Sequence, residues 1–141
     1  MTRLVLDASA LMAALLPGEP QKQPAREVLR RAVTGNIELA APTLFPYEVA
    51  NSLLKAERAK GREVEPAAID ALLRRIEELT IDLVPIPPTR TVQAARVYGC
   101  WGYDAAYLAL AEEIGAPLVT ADKRLFNSVR SRFSQIQLLG G

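Results

Sequence analysis

The chain has no histidine, one cysteine and one tryptophan in 141 residues, and each scarcity excludes a chemistry. Without histidine there can be no Ser-His-Asp or Cys-His nucleophile. With a single thiol as well, a tetrahedral structural zinc site lacks its ligands. Cys100 has no partner for an intrachain disulfide, which suits a reducing compartment. The formal net charge is only +1, so any contact with nucleic acid needs a local basic patch. Long apolar runs are missing too, and nothing is long enough to span a bilayer. Arg3 followed by Leu4 to Leu16 loosely imitates a signal peptide, but Asp7 and Ser9 interrupt it and no small-residue cleavage site follows. The expected partners therefore include no membrane, and the expected location is the cytoplasm. No glycine-rich loop follows a strand, which counts against a nucleotide-binding domain.

What is present is globular in composition: 50% of residues are hydrophobic and 23% charged. The length fits one domain spanning 1–141 with a real core. Apolar periodicity and breakers predict strands over Leu4–Leu6, Ile37–Ala41, Leu83–Ile86 and Leu118–Thr120, with a last one over Gln135–Leu139. Between them fall predicted helices. One covers Ala8–Leu16 before Pro17-Gly18, and a second covers Pro24–Thr34 with Gly35 as its cap. A long helix runs from a Thr43 cap to Lys60, with Pro46 in its first turn and Gly61 as its stop. Pro66–Leu79 is amphipathic through Ile69, Leu72, Leu73 and Ile76. The remaining helices run from Pro87-Pro88 towards Tyr98, from Asp104 to Ile114, and onward from Lys123. Apolar rather than alternating strands, separated by helices, predict an α/β fold with a parallel sheet covered on both faces.

Four carboxylates then stand out. Asp7 follows Leu4-Val5-Leu6, Asp122 follows Leu118-Val119-Thr120-Ala121, Asp104 opens Ala105 to Leu110, and Glu48 lies inside the apolar stretch Leu44 to Leu54. Taken singly, Asp7, Asp104 and Asp122 read as helix N-caps, the ordinary use of aspartate before a helix. Glu48 falls within its helix, where capping gives no account of it, and its ordinary reading is a solvated helix residue. Topology offers a second reading. Ligands in parallel α/β sheets bind at the carboxyl ends of the strands, where Asp7 and Asp122 would both sit. Carboxylates gathered there repel one another, and a hard divalent cation relieves the conflict. Ser9, Thr120 and Asn51 are placed to orient such carboxylates, Asn51 lying about one helical turn from Glu48. Turn and cap bonds are the plainer use of Ser9 and Thr120.

As an ordered set these residues resemble a PIN domain, especially the small VapC-type toxins of prokaryotic toxin–antitoxin pairs. The motifs that carry the resemblance are Leu6-Asp7-Ala8-Ser9, Glu48-Val49-Ala50-Asn51, Tyr103-Asp104-Ala105-Ala106-Tyr107-Leu108-Ala109-Leu110-Ala111 and Leu118-Val119-Thr120-Ala121-Asp122-Lys123-Arg124-Leu125. The resemblance implies a three-layer α/β/α sandwich around a mostly parallel sheet of four to five strands. It implies a ribonuclease dependent on Mg²⁺ or Mn²⁺, with Asp7, Glu48, Asp104 and Asp122 as both metal-binding and catalytic residues. Ser9, Asn51 and Thr120 match the positions that support that cluster. It further implies an RNA substrate cut to 5′-phosphate and 3′-hydroxyl ends, a homodimer, and a small antitoxin partner.

On this reading the metal activates a water for in-line attack on a phosphodiester, and no side chain need act as the base. Lys55, Arg58, Lys60 and Arg62, with Lys123 and Arg124 after Asp122, are the candidate RNA contacts, although charge runs usually mark solvated faces. Trp101 and Tyr103 flank Asp104 and could stack on an unpaired base, although such residues more often fill core. Rival readings are a non-catalytic binding or regulatory module of the same fold, a receiver-like phosphoacceptor domain, and a structural partner whose aspartates only cap helices. A receiver domain would want adjacent acidic residues after the first strand, and Ala8 follows Asp7 instead.

Overall fold

Apolar strands separated by helices satisfy their backbone by pairing side by side under helical cover, and this chain does so. In the computed structural model, which describes residues 2–61 and 64–141, the element order is β1 (Thr2–Leu6), α1 (Ala8–Leu15), α2 (Lys22–Val33), β2 (Ile37–Pro42), α3 (Phe45–Arg58), α4 (Pro66–Glu77), β3 (Ile81–Val84), α5 (Pro88–Tyr98), α6 (Gly102–Ile114), β4 (Leu118–Thr120), α7 (Lys123–Val129) and β5 (Ile136–Leu138). The strands form one sheet in the order β3-β2-β1-β4-β5, and all four ladders are parallel.

This order fixes where helices lie and where a site can form. Crossovers between parallel strands are right-handed. The chain moves one way along the sheet from β1 through β2 to β3, so α1 to α4 share one face. It then jumps back to β4 and on to β5, which puts α5 to α7 on the other. The packing agrees: α1 lies on α2 and α3, α3 touches α4, α5 lies along α6, and α6 crosses β1, β2 and β4. The result is the three-layer α/β/α sandwich. Leaving β1 the chain turns one way, and leaving β4 it turns the other. A crevice therefore opens beyond the carboxyl ends of these adjacent strands.

The core sits on both sides of β1 and β4. Val5, Leu11, Leu108, Leu110 and Leu118 are fully buried, each worth about 1.5–3 kcal/mol relative to exposure. In α6 every residue from Ala105 to Ala111 is buried, so this helix has no solvated face along that run. Its alanines let it lie close against the sheet, which fixes its N-terminus at the crevice. Among the described residues no helix is long and apolar enough to cross a membrane.

Several boundaries differ from the sequence expectations. The third strand is Ile81–Val84 rather than 83–86. Pro85 cannot donate to a ladder, and the pairing with β2 closes at Pro42 and Val84, where the Thr43 amide donates to the Val84 carbonyl. Thr43 does not cap α3; Leu44 occupies the cap position without a side-chain bond. That helix ends at Arg58, short of Lys60, while Pro46 does sit in its first turn. Helix α2 begins two residues before Pro24, which its first turn accommodates because those amides are unpaired in any helix. Gly35 then terminates it with a φ of +81°. Helix α6 also begins two residues early, at Gly102, which bears directly on Asp104.

Candidate active site

The four carboxylates come together at that crevice. A cleft of about 330 Å³ is lined by Asp7, Glu48, Asp104 and Asp122, with Ser9, Asn51, Ser52, Lys55, Tyr103 and Tyr107 among its other walls. Each carboxylate sits at the start of a helix that begins on this edge. Asp7 is the N-cap of α1 and Asp122 the N-cap of α7, while Glu48 and Asp104 lie in the first turns of α3 and α6. Four partially positive helix ends therefore face the cleft and favour negative charge there. Asp104 does not cap its helix as the sequence suggested; Trp101 holds the cap position. For Asp7 and Asp122, capping and membership of the cleft prove compatible, because one oxygen can do the capping.

The Asp7 wall is tied most firmly. Asp7 is only 7% exposed, and its Oδ1 accepts from the Ala10 amide at 2.9 Å and the Ser9 hydroxyl at 2.6 Å. Its Oδ2 accepts from the Thr120 hydroxyl at 2.6 Å. Thr120 is wholly buried; its Oγ1 also accepts from the Asp122 amide at 3.0 Å and lies 3.2 Å from Ser9 Oγ. Ser9 Oγ in turn accepts from the Ala121 amide at 3.0 Å. Two hydroxyls thus weld the end of β1 to the end of β4. Burial pushes the Asp7 carboxyl up to about 6 in spite of these three bonds, and the charge of Asp104 pushes the same way.

The other walls are held differently. Tyr107 donates its hydroxyl to Glu48 Oε1 at 2.7 Å, joining α6 to α3. The Tyr107 phenol is raised, by burial first and then by this bond and the Glu48 charge. Asp122 Oδ1 accepts from the amides of Arg124 and Leu125 at 2.9 and 3.1 Å. Asp104 is half-buried, and its carboxyl is raised by that burial and by the charges of Asp122 and Glu48, with Arg124 opposing. Beyond Asp104 and Asp122 lies a second hollow of about 190 Å³, lined also by Cys100, Trp101, Arg124 and Ser128. Burial and the Asp104 charge push the Cys100 thiol up, so it is not an activated nucleophile.

The donor set is all oxygen, which suits a hard cation such as Mg²⁺ or Mn²⁺. Among the described residues no three acidic or cysteine side chains close on one point as a ready-made cage. An open arrangement fits an ion that keeps several waters and takes only one or two carboxylates besides substrate phosphate. Of the sequence-predicted supports, Ser9 and Thr120 contact Asp7 directly, and Asn51 is exposed on the cleft wall. Of the predicted RNA contacts, Lys55 lines the cleft and Arg124 the adjoining hollow. Arg58, Lys60 and Lys123 are exposed elsewhere, and Arg62 lies outside the described residues. Tyr107, which the motif around Asp104 contains but to which the sequence assigns no role, joins the site through its bond to Glu48. Its signal was a lone phenol within a run of buried alanines and leucines, since a buried tyrosine needs a partner for its hydroxyl.

Known proteins bear on this geometry. Residues 4–131 match the family model described as PIN domain. The protein called Ribonuclease VapC3 from Pyrobaculum aerophilum is 37% identical over 125 residues, covering 87% of this chain and 92% of that one. Among solved structures, PAE2754 from the same organism is similar at a TM-score of 0.67 and 28% identity, over 92% of this chain and 81% of that one. VapBC2 from Rickettsia felis, bound to a DNA fragment from their promoter, is similar at a TM-score of 0.60 over 97% of each chain. At 12% identity that last likeness is one of fold alone.

Proposed function

Since the chain belongs to the PIN-domain family and is of the VapC type, we propose that it is a metal-dependent endoribonuclease, the toxin of a VapBC-type toxin–antitoxin module. The observation that carries this reading is the single cleft at the topological switch point walled by Asp7, Glu48, Asp104 and Asp122. The working unit is one nuclease domain over 1–141, acting on RNA in the cytoplasm. A homodimer and a small antitoxin partner go with the VapC type.

In this reading the four carboxylates hold Mg²⁺ or Mn²⁺. When bound, the ion supplies a water of lowered pKa and neutralises charge on the phosphate. The chain's own residues do the rest. Ser9 and Thr120 hold both Asp7 oxygens in place, so that the carboxylate need not reorganise when a cation arrives. Tyr107 fixes Glu48 from across the cleft, and the first turn of α7 orients Asp122. Lys55 and Arg124 neutralise RNA phosphates on either side of the carboxylates. With no histidine in the chain, the attacking water would give up its proton to solvent, its pKa lowered by the ion the carboxylates would hold, and the bond broken would be P–O3′, giving the 5′-phosphate and 3′-hydroxyl ends that the VapC-type resemblance implies.

Incubation of the purified protein with structured RNA, with and without Mg²⁺ or Mn²⁺, tests this reading. Cleavage should require the divalent ion. It should fall on the order of a thousandfold in Asp7→Asn and in Asp104→Asn, as loss of several kcal/mol of transition-state stabilisation implies. Equal cleavage by wild type and both variants would discard the site and point to a contaminating nuclease.

A further inference from the structure

Trp101 has no structural employment. It occupies the N-cap of α6, a position that favours Ser, Thr, Asp or Asn, and its side chain makes no capping bond. It contributes nothing to the core, being 89% exposed, the most exposed of the large hydrophobic residues described. A bulky aromatic that breaks a local rule without a packing gain marks a site of function. Its surroundings say which. The hollow it lines shares Asp104 and Asp122 with the acidic cleft, so the two concavities are lobes of one trough divided by those carboxylates. Each lobe pairs an exposed aromatic with a cation: Trp101 with Arg124 on one side, Tyr103 with Lys55 on the other. Aromatic faces beside cations are how proteins hold unpaired nucleotides, the ring stacking on the base and the cation meeting the phosphate.

Resting on the nuclease reading above, we infer that the Trp101 lobe is a nucleotide subsite. Trp101 stacks on the base next to the scissile phosphate, and Arg124 contacts that nucleotide's own phosphate. Trp101 is thus a residue for substrate placement rather than a catalytic one. The lobe favours a nucleotide whose base is unstacked from its neighbours, because inside a duplex both faces of a base are already covered.

Trp101 is the sole tryptophan of the chain, so its fluorescence reports on this lobe alone. The test titrates the full-length protein, with divalent ions chelated, with a short oligoadenylate and with the same oligomer made abasic. The bases should quench the indole and the abasic backbone should not. In parallel, Trp101→Ala should weaken oligoadenylate binding and raise KM for RNA cleavage about tenfold, the worth of one base–aromatic stack, with kcat unchanged. Trp101→Phe should recover most of the loss. Cleavage by Trp101→Ala with wild-type KM, together with no base-dependent quenching, would overturn the subsite while leaving the nuclease reading intact. Quenching and weakened binding in a protein that cleaves nothing would do the reverse. An emission shift that depends on protein concentration without RNA would assign this face to a second copy of the chain and overturn the subsite.

Discussion

The two sides of the cleft are built on opposite plans. On the Asp7 side a buried carboxylate is held by an amide and two hydroxyls, with Thr120 fully enclosed. On the Asp104 side the carboxylate is half-buried at the start of α6, next to an exposed indole and an arginine. The first wall is stiff and preorganised. The second faces solvent. For the nuclease proposed above, this division would suit a site that holds a fixed charge and also takes a long substrate, because rigidity where charge is concentrated lowers the reorganisation needed during reaction.

The comparison can be broken by titration. With divalent ions chelated, burial raises the Asp7 carboxyl from its ordinary 3.8 to about 6. A group raised in the folded state favours folding fully below its unfolded pKa and loses that contribution as pH climbs through the folded one. Stability of the metal-free protein should therefore fall between about pH 4 and pH 6, by on the order of 3 kcal/mol. The raised Asp104 carboxyl acts with the same sign. Denaturant unfolding across this range should show the loss in wild type and a much flatter profile in Asp7→Asn. A wild-type stability that rises over the same range would mean that Asp7 is not strained by burial.

The stiff wall should also depend on its hydroxyls. Thr120→Val keeps the shape but removes the donor to Asp7 and the acceptor for the Asp122 amide. The expected costs are about 1–3 kcal/mol in urea unfolding and about 10–100-fold in divalent affinity by calorimetry. A neutral result would show that the weld between β1 and β4 is ornamental. The smallest effect concerns two neighbours on α7. Arg124→Ala should raise KM several-fold more than Lys123→Ala, because Arg124 lines the hollow and Lys123 does not. Equal effects would indicate diffuse charge attraction without a defined path for the RNA.

Much of this was legible in the sequence, for physical reasons that also mark its limits. Asp7 and Asp122 follow short, mostly apolar runs, and buried parallel strands announce their carboxyl ends through composition. That was enough to put both on one edge of an α/β sheet. Asp104 reads as a cap in the sequence because Gly102 looks like a breaker, although Gly102 forms the first position of α6. The third strand was displaced because Ile81-Asp82 lacks the apolar continuity of a central strand, and β3 is an edge. The contacts between Tyr107 and Glu48, 59 residues apart, and between Thr120 and Asp7, 113 apart, depend on side-chain directions that no local pattern encodes. The exposure of Trp101 was hidden for the same reason.

The central claim is that the four carboxylates together form a divalent-metal site, and thermal melting tests it without any RNA. Mg²⁺ or Mn²⁺ added to the chelator-treated protein should raise Tm in proportion to the logarithm of ion concentration above Kd. That shift should shrink markedly in each of Asp7→Asn, Glu48→Gln, Asp104→Asn and Asp122→Asn, while Asp7→Asn melts no lower than wild type without metal. If all four variants retain the wild-type shift, the carboxylates are structural and the account fails.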